Sequence, residues 1–120
     1  DAKVFENHAI YVSERQKLLT AIDHYAIKGV VFLTGDRHHS ELTSWISPGG
    51  IKVYDITSSA LTSSTNAHPE EPNTGRVEGS MVGVRNYAQI KISGDKATRM
   101  LSLHFKDADG KIIYTDTIKP

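Results

Sequence analysis

Val30-Val31-Phe32-Leu33-Thr34-Gly35-Asp36-Arg37-His38-His39 is the stretch on which the fold turns. Its first four residues are apolar without alternation. Such a run predicts a strand buried on both faces, as in a sheet covered by other layers. Thr34 and Gly35 end the strand, with Gly35 permitting a tight exit from the sheet. Upstream, Leu18, Leu19, Ile22, Tyr25 and Ala26 recur at helical spacing and give one apolar stripe. Ser13 reads as an N-cap, Gln16 as the partner that completes a capping box, and Gly29 as the C′ residue. The spacing therefore predicts a helix over 13–27. A helix, a short turn and a buried strand make half of an α/β unit.

Downstream the chain reads as β-rich. Residues 51–56 predict a strand. Residues 62–75 hold Ser, Thr, Asn, Pro, Glu and Gly with little apolar content, and predict a long surface loop open to motion or proteolysis. Ala88, Ile90 and Ile92 alternate with polar residues, as do Leu101, Leu103 and Phe105. With turns at 93–96 and 107–110, and a last strand over 111–118, these predict an antiparallel meander. The fold class is α+β: one amphipathic helix packed on a mixed, mostly antiparallel sheet. VVFL is apolar throughout, so a helix on one side leaves an apolar sheet face, through which a homodimer is expected.

The chain has 120 residues, room for one domain with no internal boundary. Lysine plus arginine number 14 and aspartate plus glutamate 14. That balance opposes a nucleic-acid surface, which needs a basic surplus. The absence of cysteine excludes disulfides and thiolate metal sites. No apolar run approaches the roughly 20 residues of a membrane span.

Chemistry concentrates just past the strand. Ligands in open α/β sheets bind outside the carboxyl ends of strands. There Asp36 offers hard oxygen donors and His38 an imidazole nitrogen, a mixture suited to Zn, Mn, Fe or Ni. Arg37 could grip a phosphate bidentately. On spacing alone a strand-end Asp and two histidines are more often solvated loop residues than ligands, and two ligands do not close a catalytic site. Asp107-Ala108-Asp109-Gly110 resembles the start of a calcium loop, but Lys111 stands where a ligand is needed, so it reads as a hairpin turn. Ser58, Ser59, Ser63 and Ser64 read as turn and loop material. His24 and His104 read as surface or packing residues, and Trp45 as packing on a short strand. There is no Gly-x-Ser-x-Gly elbow, P-loop or dinucleotide fingerprint.

Taken in order, several pieces resemble one family. Glu14-Arg15 opens a helix, Val30–Leu33 forms a strand, and Gly35-Asp36-Arg37-His38 follows. Tyr54–Ser59, Leu61-Thr62, Asn86-Tyr87-Ala88 and Asp109-Gly110-Lys111 continue the match. This order resembles the C-terminal portion of PhoD-like alkaline phosphatases, of the metallophosphoesterase (calcineurin-like) superfamily. The resemblance implies half of an α/β/β/α sandwich around a two-metal centre that hydrolyses phosphomonoesters or phosphodiesters. It implies His38 and then Asp36 as metal ligands, Arg37 and His39 as phosphate-pocket residues, and Asn86 as structural. It implies divalent or mixed metals (Ca, Fe, Mn or Zn), a phosphate ester substrate and, from the habit of the family, an exported protein. The superfamily's early Asp-x-His, Gly-Asp-x-x-Asp and Gly-Asn-His-Asp/Glu segments do not occur ahead of residue 35. The chain is thus expected to correspond to the last part of such an enzyme, inactive alone. The rival expectation is a non-catalytic association module in which Asp36 and His38 are vestigial.

Overall fold

A computed structural model describes residues 8–119. A short 3-10 turn (His8–Ile10) leads into helix α1, Val12–His24. Six strands follow: β1 Val30–Thr34, β2 Ser40–Ile46, β3 Lys52–Ser58, β4 Asn86–Ser93, β5 Met100–Asp107 and β6 Ile112–Ile118. They form two three-stranded sheets, ordered β1-β3-β2 and β4-β5-β6. β1 runs parallel to β3, and every other pair is antiparallel. The architecture is α+β with one helix, as the sequence predicts.

The core lies where inward residues of both sheets meet. Leu42 and Ile56, opposite each other in the first sheet, pack with Leu103, Phe105 and Ile118 of the second and with Val82. Each is 4% exposed or less. Full burial of a side chain of this size contributes about 1.5–3 kcal/mol. At one end the sheets are stitched together by Asn86, which is 1% exposed. Its backbone N–H donates to the Ala60 carbonyl at 3.1 Å, and its Oδ1 accepts from the Ser40 hydroxyl at 2.6 Å. Asn86 thus has the structural role expected of it. Asp107 closes the β5–β6 hairpin by accepting from the N–H groups of Asp109 and Lys111, so the calcium-like segment is a turn.

Several expectations are corrected. Tyr11, not Ser13, stands at the helix N-cap, and no side chain caps it. Ser13 lies inside the first turn, and Gln16 reaches forward to Thr20 at 3.2 Å, so no capping box forms. The helix stops three residues short of the predicted end. Its Schellman closure bonds Ile27 N–H to Ile22 O (2.9 Å) and Ala26 N–H to Asp23 O (3.1 Å). Ala26, at φ 50°, takes the left-handed position that Gly29 was expected to fill, and Gly29 (φ 69°) instead precedes β1. Only Leu19 and Ile22 of the apolar stripe are buried, while Tyr25 is 71% exposed. The helix end is fastened by Asp23, which accepts from the Ser47 hydroxyl and from Gly49 N–H in the β2–β3 turn.

β1 is not buried on both faces. Val30, Val31 and Phe32 are half-buried, and Leu33 is 68% exposed. β1 is also an edge strand among the described residues: β3 pairs along one side of it, and no described strand along the other. The opposite edge of the sheet is covered. There β2 exchanges hydrogen bonds with 75–82, including Ser40 with Val82 and Val77 N–H with Leu42 O.

Candidate metal-binding turn

The chain leaves β1 at the carboxyl end of the parallel β1–β3 pair. Gly35 does not make the tight exit. Its φ is not positive, and a Cβ there would meet its neighbours at 3.6 Å, an ordinary contact. The turn is made by Asp36 (φ 65°) and His38 (φ 59°), both left-handed. Non-glycine residues held in that region cost free energy and cluster at functional sites.

Ser59 holds the strained backbone in place. Its Oγ accepts from the N–H groups of Arg37 and His38, both at 2.8 Å, and donates to the His39 carbonyl at 3.3 Å. Asn66 N–H donates to the His38 carbonyl at 2.9 Å. Ser59, turn and loop material by its sequence, is thus a structural anchor of the site. What reveals its role is its place one residue past β3, beside the exit of the strand that β3 pairs with.

The four candidate residues divide into two pairs. Asp36 is exposed and His38 half-buried, and neither side chain has a hydrogen-bond or ion-pair partner among the described residues. Arg37 and His39 are engaged with the 60–76 segment. Arg37 makes an ion pair with Glu71. His39 is 1% exposed; its Nδ1 lies 3.2 Å from the Asn66 carbonyl, and its Nε2 3.9 Å from Glu41 Oε1. The latter is a charge contact, too long for a hydrogen bond.

Glu41 is the hub of this inner cluster. It accepts from Arg76 Nε at 2.6 Å and from Asn73 Nδ2 at 3.1 Å. Burial pushes its carboxyl upward, but His39 and Arg76 together outweigh that and hold it at about 2. Glu41 in turn raises His39 above its ordinary value, against burial, which lowers it. Asp55 lies on the same sheet face, accepting from Thr34 Oγ1 at 2.6 Å, and burial raises its carboxyl. Among the described residues no three His, Asp or Glu side chains converge as a metal site. Asp36 and His38 fit a metal in donor type, but two residues do not make a metal site. Comparison with protein-family models, with curated proteins and with solved structures yields no match.

Proposed function

We propose that the Asp36–His38 turn is one corner of the metal centre of a phosphoester hydrolase. The reading keeps the likeness to PhoD-like phosphatases, with this chain as the C-terminal part of the enzyme. One observation carries it: the two residues of ligand type are both held left-handed, at a strand carboxyl end, with their side chains unpaired among the described residues. A strained turn pinned by Ser59 presents donors in fixed positions, as a metal corner requires.

In this reading Asp36 supplies a carboxylate oxygen and His38 an imidazole nitrogen to a divalent ion such as Ca, Fe, Mn or Zn. When bound, the metal supplies an activated water and charge stabilisation at phosphorus. Arg37, within the turn, is ion-paired with Glu71 and would exchange that partner on meeting a phosphate ester. His39 supports the turn from behind, through Asn66 and Glu41. A complete centre needs further ligands, from outside the described residues.

The isolated chain is therefore expected to hydrolyse no aryl phosphate above background, with Ca²⁺, Mn²⁺, Zn²⁺ or Fe²⁺ added. Robust turnover abolished by His38→Ala would show that the chain holds a complete centre and contradict the corner reading.

A further inference from the structure

We infer that residues 61–72 are a lid over the Arg37–His39 turn, latched by Glu71 and opened when a phosphate takes the place of Glu71 on Arg37. This rests on the phosphate reading of Arg37 given above, and not on the metal. The segment has nothing apolar to hold it down. None of its residues is buried, and its one large hydrophobic side chain, Leu61, is 65% exposed. What holds it is polar and lands on the turn. Asn66 N–H donates to the His38 carbonyl at 2.9 Å, and the Asn66 carbonyl lies 3.2 Å from His39 Nδ1. The Glu71 carboxylate is ion-paired with Arg37. Two further bonds join Ser63 to the Ser59 carbonyl at 3.3 Å and Arg76 Nη1 to the Pro69 carbonyl at 3.0 Å. The two ends are fixed without the turn. Ala60 is fully buried and its carbonyl accepts from Asn86 N–H, while Asn73 Nδ2 donates to Glu41 and Thr43.

The latch is chemically a stand-in for the ligand. Glu71 offers the guanidinium an anionic oxygen, as a phosphate does. The paired side chains are 27% and 29% exposed, so a dissolved anion can reach them, and a pair of this exposure biases an equilibrium by about fivefold at most. A phosphate group carries more charge and more acceptor oxygens than a carboxylate. Bound to Arg37 it competes for the donor and repels Glu71, and the lid loses its charged contact. The seat of the lid is also visible. Ala67 lies so close to Gly83 that a Cβ on Gly83 would come within 2.6 Å of its own. Gly83 has no positive φ, so alanine suits its backbone. Gly83→Ala therefore unseats the lid while leaving Arg37 and Glu71 in place.

The test follows the isotopically labelled chain by NMR as inorganic phosphate replaces chloride at constant ionic strength. Phosphate should shift the Arg37 side-chain signal and speed hydrogen exchange of the Asn66 amide by about two- to fivefold. The amides of Val77 and Val82, bonded to the Leu42 and Ser40 carbonyls, should not respond. Coupling between sites is reciprocal. Glu71→Gln and Gly83→Ala should each tighten phosphate binding by about two- to fivefold, and in both the Asn66 amide should exchange fast without phosphate. In Arg37→Gln, phosphate should no longer alter Asn66. Phosphate that reaches Arg37 but leaves Asn66 exchange unchanged overturns the lid while the phosphate reading stands. Phosphate that fails to reach Arg37 even in Glu71→Gln and Gly83→Ala overturns both. A phosphate response of Asn66 that survives in Arg37→Gln overturns the latch.

Discussion

Replacing Glu41 by alanine is expected to destabilise the fold by about 3 kcal/mol, because it strips a largely buried charge cluster of its centre. The Glu41 side chain is 12% exposed and that of Arg76 17%. Removing the carboxylate leaves Arg76 Nε without its 2.6 Å acceptor and Asn73 Nδ2 without one of its two. Acid should produce part of the same loss without mutation. The Glu41 carboxyl sits at about 2 in the fold against an ordinary 4.5. A depressed carboxyl contributes stability above its unfolded value, and that contribution fades as the pH falls through the folded value. The difference corresponds to about 3 kcal/mol, fully present above about pH 5 and gone near pH 1–2.

His39 adds the opposite limb. Its raised imidazole contributes stability below pH 6.5, lost as the pH climbs through its folded value. The pair should therefore be firmest between about pH 5 and 6. Asp55, raised by burial from an ordinary 3.8, works against the Glu41 limb: its contribution is present below about pH 3.8 and is lost as the pH rises through its folded value. Urea melts at a series of pH values, on the chain and on Glu41→Ala, would test this. In the alanine variant the acid limb should flatten; an unchanged acid limb would remove Glu41 as its cause.

Phe105→Ala should cost about 3–5 kcal/mol, the range for deleting a buried aromatic side chain. Phe105 is fully buried, stacks on Tyr114 at 5.7 Å between centroids, and lies in the cluster that joins the two sheets. Its loss opens a cavity between sheets that meet chiefly through these side chains. A thermal melt should fall steeply, or the variant should fail to fold. A loss below 1 kcal/mol would mean that the sheets are held together elsewhere.

The second sheet could be read from the sequence because its signal is local. Ala88, Ile90 and Ile92, then Leu101, Leu103 and Phe105, alternate at the strand period, and each turn carries its own Gly and Asp. The first sheet hides more. VVFL looks like a central strand because side-chain polarity reports burial, not which backbone edge is paired. His38 and His39 look equivalent as neighbours, yet one stays near the surface and the other is buried against Glu41. Glu41 and Asp55 lie on one face only because the register sets Thr43 opposite Asp55 and Glu41 opposite Thr57. That pairing is long-range and absent from any local pattern. The turn is visible in the sequence as Gly35–His39, with Gly35 expected to permit the tight exit, but the left-handed positions are Asp36 and His38. Ser59, which holds it, lies 20 residues or more away from its partners.

The most direct test is to titrate Mn²⁺ into the isotopically labelled chain and follow paramagnetic broadening residue by residue. The metal-corner account predicts weak binding, with broadening confined to residues near Asp36 and His38 and abolished by His38→Ala. Broadening that centres on another part of the surface, or that persists unchanged in His38→Ala, would contradict it.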